Sequence, residues 1–330
     1  MPHEPRLGLK KGVGVLLAAT WGLVLAALAL APAPVLTAPD RGGDTPQQAP
    51  AARPAAPPAA EFVGSDTCLG CHEDMNTGIA GSAHGRSANP RSPAAAKGCE
   101  SCHGPGSRHL EDPSDDALIH KFAKMEPRTA SDTCLSCHTG STHALWDGSS
   151  HDARNMSCGT CHSVHAAERP HALLTTGTEV ELCGTCHQVQ AMKTKRVSHM
   201  PVAEGTMECS TCHNPHGSTN VKLLRVGNWI NESCVSCHAE KRGPFLFDHA
   251  AGRESCASCH DPHGSSNDRM LVAKLPMLCQ RCHIGTRHPS TIYDNAAVRN
   301  QSNRIIGRSC VNCHQQIHGS NHPSGQSLTR

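Results

Sequence analysis

Cysteine and histidine are unusually frequent in this 330-residue chain, which contains 20 Cys and 25 His. Every cysteine belongs to a Cys-x-x-Cys-His pentapeptide, and this pentapeptide is the attachment signature of a c-type haem. Two thiols bond to one edge of the porphyrin, and the imidazole of the next residue reaches the iron. The ten cysteine pairs predicted to carry haem are Cys68 and Cys71, Cys99 and Cys102, Cys134 and Cys137, Cys158 and Cys161, Cys183 and Cys186, Cys209 and Cys212, Cys234 and Cys237, Cys256 and Cys259, Cys279 and Cys282, and Cys310 and Cys313.

Structural zinc is the competing interpretation, because paired Cys-x-x-Cys knuckles also build tetrahedral four-sulfur sites. Such sites do not need a histidine directly after the second cysteine, yet all ten pairs have one. The number of copies therefore favours covalent haem. Since every cysteine is used, none is left to form a disulfide.

Histidines are numerous enough to fill both axial positions of ten irons. Ten of them follow the cysteines and are predicted as proximal ligands: His72, His103, His138, His162, His187, His213, His238, His260, His283 and His314. Nine others are predicted as distal ligands: His84, His109, His165, His199, His216, His249, His263, His288 and His318. The tenth distal ligand is either His143 or His151, and His120, His171 and His322 are predicted to bind no iron.

The spacing of the distal candidates indicates which irons they reach. His165, His216 and His263 lie three residues after a proximal histidine, and three residues span at most about 10 Å. That reach is too short to pass around the porphyrin to its opposite face, so these histidines are expected to bind the iron of a neighbouring unit. Sharing ligands in this way packs successive haems closely, and electrons hop between haem edges only over short gaps.

The composition predicts that the porphyrins replace an ordinary core. One Tyr, three Trp and four Phe are too few aromatic residues to fill one. From Cys99 onward a motif arrives every 22 to 35 residues, and such short segments bury no core of their own. We expect a multihaem cytochrome c of mostly irregular coil with short α-helices and little β structure. The spacing of the haem motifs suggests two pentahaem halves, residues 62–195 and 196–330. A longer helix is expected over residues 115–125.

The N-terminal residues are typical of an exported protein. Within residues 1–38, Arg6, Lys10 and Lys11 precede an apolar run over residues 12–30 and then small residues, as in a signal peptide. The run is also long enough to span a bilayer, so an uncleaved inner-membrane anchor is the alternative. Residues 39–61 are rich in Ala and Pro and are predicted to form a disordered spacer. Both alternatives place the haem body in the periplasm.

The charge balance argues against some partners. The formal net charge is +2 with neutral histidines, which provides no electrostatic basis for binding nucleic acid or anionic membranes.

Several linkers resemble a known family. They are His199-Met-Pro, Cys209-Ser-Thr-Cys-His-Asn-Pro-His-Gly, Cys237-His-Ala-Glu-Lys-Arg-Gly-Pro, Cys256-Ala-Ser-Cys-His-Asp-Pro-His-Gly-Ser, Gly307-Arg-Ser-Cys-Val-Asn-Cys-His and His318-Gly-Ser-Asn-His-Pro-Ser-Gly. Over residues 62–330 the chain is similar to the decahaem c-type cytochromes of the MtrA/DmsE family. Trp146-Asp-Gly-Ser-Ser-His151-Asp also fits that family and favours His151 over His143 as a distal ligand. The Ala/Pro spacer departs from the family pattern.

The resemblance implies ten bis-histidine irons in a long staggered array and no enzymatic activity of its own. It also implies a periplasmic electron-transfer subunit that threads into an outer-membrane β-barrel porin. Its partners would be periplasmic electron carriers on one side and an extracellular multihaem cytochrome, or another outer-surface partner, on the other. Members of the family serve metal reduction, iron oxidation or extracellular sulfoxide reduction, so the resemblance leaves the direction of electron flow open.

Two other functions are compatible with the motifs. The first is a soluble periplasmic shuttle or electron store with no porin partner. The second is a multihaem reductase of nitrite or hydroxylamine, which needs an open iron or a lysine ligand. The chain contains no Cys-x-x-Cys-Lys, and filled distal positions leave no iron for substrate.

Removal of haem is expected to unfold the chain, as removal of metal unfolds small metal-dependent domains. We expect apoprotein produced without haem attachment to give a coil-like far-UV circular dichroism spectrum and to be digested by a protease that spares the holoprotein. A compact, protease-resistant apoprotein would contradict this prediction.

Overall fold

The computed structural model describes residues 59–284 and 309–330. Short α-helices separated by irregular backbone make up this part of the chain. The helices are α1 (Ser65–Leu69), α2 (Asn76–Ala80), α3 (Glu100–His103), α4 (Ser107–Glu111), α5 (Pro127–Leu135), α6 (Glu179–Gly184), α7 (Gln188–Lys193), α8 (Cys209–Cys212), α9 (Ile230–Val235), α10 (Ala250–Glu254) and α11 (Met277–Gln280).

Single 3-10 turns supply most of the remaining regular structure. They are Glu73–Met75, Ala83–Gly85, Pro93–Ala95, Asp116–Leu118, Phe122–Lys124, Ser141–His143, Asp152–Arg154, Cys158–Thr160, His171–Leu173, Val221–Leu223, Ala239–Lys241, Cys256–Ser258, Asp268–Met270 and Cys310–Asn312. In the described ranges β structure is limited to isolated bridges. The prediction of a mostly irregular chain with short helices is confirmed. Within those same ranges, no helix has the length and apolar character needed to cross a membrane.

The longer helix predicted over residues 115–125 is wrong, because this stretch forms two separate 3-10 turns. The Asp115 carboxylate accepts a hydrogen bond from the N–H of Ala117 (2.9 Å) and caps the first turn. The N–H of His120 then donates to the carbonyl of His103 (2.9 Å) and not to a carbonyl of its own segment. A tertiary contact therefore replaces the helical bonding.

Helices α5 and α6 begin with standard start signals and end inside a haem motif. Pro127 occupies the first turn of α5, where its missing N–H has no cost. Thr178 and Glu181 form a capping box at the start of α6. Both helices then run into the first cysteine of their motif, so each one sets the direction of a haem attachment site.

Few apolar side chains are fully buried, which agrees with the small aromatic content. In the described ranges they are Ala130, Trp146, Leu174, Leu224 and Leu271. Their side chains are too few to hold the described residues together as an ordinary core would.

Three glycines that follow distal-candidate histidines fasten neighbouring segments to each other. Gly217, Gly264 and Gly319 have φ values of +127°, +124° and +135°, a region that only glycine adopts readily. A Cβ atom on Gly217 would overlap the carbonyl of Leu145, and one on Gly264 would overlap the carbonyl of Lys193. Each His-Gly pair therefore packs against a segment that lies three motifs earlier in the chain. Motifs 4, 5 and 6, for example, lie between Leu145 and Gly217.

Substitution Gly264→Ala is expected to destabilise the holoprotein by about 1–3 kcal/mol, because the new methyl group adds backbone strain and displaces the carbonyl of Lys193. The matched control is Gly252→Ala, since Gly252 lies in α10 with open space around the new Cβ. We expect thermal unfolding followed at the haem Soret band to show a lower Tm for the first variant and not for the second. Equal Tm values would refute this role of Gly264.

Candidate haem sites

One helical turn presents the three reactive groups of every motif on one face. In all ten motifs the N–H of the histidine donates to the carbonyl of the first cysteine, at 2.8 to 3.1 Å. Residues three and four apart lie on the same side of such a turn. The spacing of Cys-x-x-Cys-His therefore directs both thiols and the imidazole toward the same space.

The first cysteines of successive motifs meet in pairs. Burial and a side-chain interaction between the two thiols both raise the pKa of one cysteine in each pair, and burial is the larger cause for Cys68, Cys234 and Cys279. For Cys134 and Cys183 the bond to the partner thiol is the largest cause. These pairs are Cys68 with Cys99, Cys134 with Cys158, Cys183 with Cys209, Cys234 with Cys256, and Cys279 with Cys310.

The second cysteines lie near one another at the intervening junctions. Burial first, and then the charge of the neighbouring thiol, raises the pKa of Cys102, Cys161, Cys212 and Cys259. The pairs are Cys102 with Cys137, Cys161 with Cys186, Cys212 with Cys237, and Cys259 with Cys282. Each inner motif thus meets the preceding motif through one cysteine and the following motif through the other. The ten attachment sites form one line in chain order.

A continuous cavity follows this line. Its volume is about 6800 Å³, and both cysteines and the proximal histidine of every motif line it. None of the 20 cysteines is in a disulfide. The cavity has the chemistry that a row of porphyrins requires, with thiols, imidazoles and apolar side chains facing the same space.

Eight proximal histidines face a distal candidate at a nearly constant separation. Their ring centroids are 5.9 to 6.4 Å apart in the pairs His72 with His109, His84 with His138, His103 with His165, His151 with His187, His162 with His216, His213 with His263, His249 with His283, and His260 with His318.

This separation fits a haem iron between the two rings. Two imidazoles that share one metal ion through bonds of about 2 Å have ring centroids roughly 6 Å apart. The trailing histidines, His165, His216, His263 and His318, face the proximal histidine of an earlier motif and not their own. The upstream histidines, His84, His151 and His249, face the proximal histidine of the second motif that follows them.

Three loops that sequence reasoning missed orient proximal histidines. They are residues 171–175, 221–225 and 268–272, here called the return loops. The Nδ1 atoms of His162, His213 and His260 lie 2.7, 2.7 and 2.8 Å from return-loop carbonyl oxygens, those of Ala172, Lys222 and Arg269. An Nδ1–H that donates to a carbonyl leaves the lone pair on Nε2, which is the atom an iron binds.

The return loops adopt an unusual backbone to place these carbonyls. Two consecutive residues in each loop have left-handed φ values, for example +56° at Lys222 and +57° at Leu223. The next residue is a buried leucine, Leu224 in this copy. Backbone strain of this kind persists only where the surrounding contacts impose it. The repeated x-Leu-Leu or x-Met-Leu, nine to twelve residues after the proximal histidine, is the sequence signal that could have identified the loops.

Several ligand candidates are held in the neutral form that iron binds. Burial is the largest cause that lowers the pKa of His84, His103, His263 and His318. Burial, with the nearby imidazole of His143 as the next cause, lowers the pKa of His216 to about 4. Because a metal binds the deprotonated imidazole nitrogen, these sites do not have to lose a proton at neutral pH.

Two of the ten predicted distal ligands differ from the other eight. The Nε2 of His199 lies 2.8 Å from a carboxylate oxygen of Glu204. His288 lies outside the described residues. Of the proximal histidines outside the eight pairs, His238 has a side chain that is 59% exposed.

The histidines predicted to bind no iron occupy varied positions. The carbonyl of His120 faces Nδ1 of His103 at 2.8 Å. The ring of His143 lies 4.3 Å from that of His216 and 5.3 Å from that of His138. The Nδ1 atom of His322 accepts a hydrogen bond from the N–H of Ser324 (3.1 Å).

Comparisons with known proteins agree with this geometry. Residues 199–243 and 249–288 match the doubled CXXCH motif, residues 99–186 match the NrfB-like cytochrome c-type proteins, and residues 45–104 match cytochrome c554 and c-prime. The fold and the repeated sites define a multihaem c-type cytochrome, an electron-transfer protein. Its cofactors are covalently bound c-type haems, one for each of its ten motifs.

Relatives define the family. The chain is 42% identical over 279 residues to the multihaem cytochrome MtrA of Shewanella baltica, and the match covers 81% of both chains. It therefore belongs to the MtrA family of multihaem cytochromes. It is also 25% identical over 201 residues to the C-type polyhaem cytochrome OmcB of Geobacter sulfurreducens, covering 53% of this chain and 25% of OmcB.

A β-branched residue at the left-handed position of a return loop is expected to destabilise its haem site. We expect Lys222→Val to cost about 1–3 kcal/mol, while Lys222→Gly, which adopts positive φ freely, costs nothing or stabilises. Thermal unfolding at the Soret band measures both. Lys195→Val serves as the control, since Lys195 is exposed and lacks a left-handed φ. Equal Tm values for the Val and Gly variants would exclude strain at this position.

Proposed function

We propose that this cytochrome is an electron conduit in which the haems follow one another in chain order, from haem 1 on Cys68 and Cys71 to haem 10 on Cys310 and Cys313. The observation that carries the proposal is the continuous cavity lined by the cysteines of all ten motifs, in which first cysteines and then second cysteines of successive motifs lie near each other. The cysteines hold the reactive edge of each porphyrin, so their proximity brings successive porphyrin edges together. Bound haem supplies an iron that accepts and donates one electron.

We further propose that all ten irons have two histidine ligands. Eight pairs are those whose rings lie 5.9 to 6.4 Å apart, as described above. The repeat supplies the ninth, because His199 lies upstream of its motif pair as His151 and His249 do, and this makes it the partner of His238. His288 with His314 is the remaining assignment. In the holoprotein His199 would exchange the Glu204 carboxylate for iron.

Filled axial positions favour transport over catalysis. An iron with two protein ligands has no position at which a small substrate binds. The carbonyls of the return loops support this arrangement, because they hold the proximal imidazoles in one tautomer and one orientation. What remains for such a site is electron exchange with its neighbours.

The proposed partners are those that membership of the MtrA family suggests. We propose that the chain works in the periplasm, threads into an outer-membrane β-barrel porin, and links periplasmic electron carriers to an extracellular multihaem cytochrome or another outer-surface partner. Metal reduction and iron oxidation are the processes that this placement serves. The 42% identity to MtrA over 81% of the chain supports the proposal.

Electron paramagnetic resonance of the oxidised holoprotein tests the ligation. We expect ten haems by pyridine haemochrome assay, all of them low-spin. The variant His249→Ala should convert one haem in ten to high-spin, because His249 faces His283. The control His322→Ala should leave the spectrum unchanged. A high-spin signal in the wild type that responds to nitrite or hydroxylamine would contradict the conduit and would indicate a reductase, with the iron at His238 as the first to examine.

Co-purification tests the partner. Mild detergent extraction of outer membranes should yield the cytochrome together with a β-barrel protein in equal amounts. Recovery of all the cytochrome in the periplasmic fraction, with no barrel protein attached, would instead identify a shuttle.

A further inference from the structure

The first-cysteine pairs are reinforced by side chains that reach from one motif to the next. At the junctions of motifs 1 and 2, 5 and 6, and 7 and 8, a helix that leads into the odd-numbered motif contributes a residue to the start of the following motif. The Ser65 hydroxyl accepts a hydrogen bond from the N–H of Cys99 (3.1 Å). The Asn231 amide oxygen accepts one from the N–H of Cys256 (2.8 Å). Before motif 3 the equivalent residue is Ser131, which is only 1% exposed.

One of these junctions carries a negative charge. Before motif 5 the contributed residue is Glu179, whose carboxylate accepts hydrogen bonds from the N–H and the hydroxyl of Ser210, both at 2.7 Å. Its charge contributes to raising the pKa of Cys183, after the larger effects of the Cys209 thiol and burial. The carboxylate therefore lies beside the attachment cysteines of haems 5 and 6.

A second carboxylate lies at the junction of motifs 1 and 2. Glu100 is 4% exposed and sits between Cys99 and Cys102. It accepts hydrogen bonds from the N–H groups of Val63 (2.9 Å), Gly64 (2.9 Å) and Gly106 (2.8 Å).

Glu100 lies within motif 2, stays ionised, and its charge also reaches the first cysteine of motif 1. Burial opposes its ionisation, but the three N–H donors outweigh burial and hold the pKa of the carboxyl below its usual range. Its charge also raises the pKa of the Cys68 thiol, after the larger effects of burial and Cys99. The carboxylate therefore lies beside the attachment cysteines of haems 1 and 2.

We propose that Glu100 and Glu179 lower the reduction potentials of haems 1 and 2 and of haems 5 and 6, respectively. A fixed negative charge beside a haem opposes the arrival of an electron, and a buried site screens that charge less than water does. At the junctions of haems 3 and 4 and of haems 7 and 8, the side chains described above are neutral: Ser131 and Asn231 lie three residues before the first cysteine, the position that Ser65 has before motif 1. The line of haems therefore has two low-potential pairs separated by a pair without an added carboxylate. The inference rests on the haem order proposed above.

The two carboxylates are expected to act with unequal strength. Glu100 is fully buried, whereas Glu179 is half-buried and therefore more screened by water. The guanidinium of Arg169, which pairs with the Glu208 carboxylate at 2.5 Å, also lies near Glu179 and offsets part of its charge. Lys97 is near Glu100 in the same way, but its ammonium lies 3.5 Å from the centre of the Phe62 ring.

Potentiometric titration of the whole holoprotein tests the proposal. We expect Glu100→Gln to shift about two of the ten haems to higher potential, with roughly a tenfold change in their oxidised-to-reduced ratio at a fixed potential. Tenfold corresponds to about 59 mV for one electron. Glu179→Gln should shift another two haems in the same direction by a smaller amount. The amide of the Glu179→Gln variant can still hydrogen-bond to both the N–H and the hydroxyl of Ser210. This variant therefore tests the proposal even if Glu100→Gln fails to mature.

Two controls separate charge from structure. Glu100→Asp keeps the charge and should leave the titration near that of the wild type. Asp132→Asn removes a carboxylate two residues before Cys134, but its side chain is 57% exposed, so water screens it and the titration should not move.

The outcomes distinguish the two proposals. If both Gln variants titrate like the wild type while all haems remain low-spin, the tuning role of the carboxylates is wrong and the conduit stands. If Glu100→Asp shifts as far as Glu100→Gln, the shift is structural and the inference is overturned. High-spin haem in the wild type would instead overturn the proposed ligation.

Discussion

A single turn of helix, closed between the carbonyl of a cysteine and the N–H of the histidine four residues later, is the unit on which the rest of the structure depends. It presents two thiols and one imidazole on one face, so each haem is held along one edge and from one side by a local stretch of chain. The other axial position must be filled from elsewhere. This incompleteness of each unit accounts for the His-Gly segments that pack against earlier parts of the chain.

The described residues are joined by contacts from one repeat to the next. His216 faces the proximal ligand of an earlier motif, His162, while Gly217 fits only because it lacks a side chain beside Leu145. The same pairing recurs at His263 with Gly264. Each repeat therefore completes the site of the one before it and presents an incomplete site to the one after it. A local defect in one repeat is expected to affect the haem of its neighbour as well as its own.

Much of the site could be predicted from the sequence, since covalent attachment requires residues of fixed type at fixed spacing. The proximal ligands follow from the motif, and the short reach of three residues indicates that His165 and His216 serve other irons. The return loops could not be predicted, because two consecutive left-handed residues such as Lys222 and Leu223 have no local propensity for that conformation. The helix predicted over residues 115–125 does not form, because a tertiary hydrogen bond from the N–H of His120 to the carbonyl of His103 overrides the local helical preference.

Because first-cysteine pairs and second-cysteine pairs alternate along the array, odd-numbered and even-numbered motifs are not equivalent. Odd-numbered motifs use the first cysteine toward the C-terminal neighbour, whereas even-numbered motifs use the second, as with Cys134 against Cys158 and Cys161 against Cys186. Inserting or deleting one motif would require every later motif to exchange the roles of its two thioethers. Inserting or deleting two leaves all later contacts as they were. Duplication in the history of such a chain is therefore expected to add haems in steps of two.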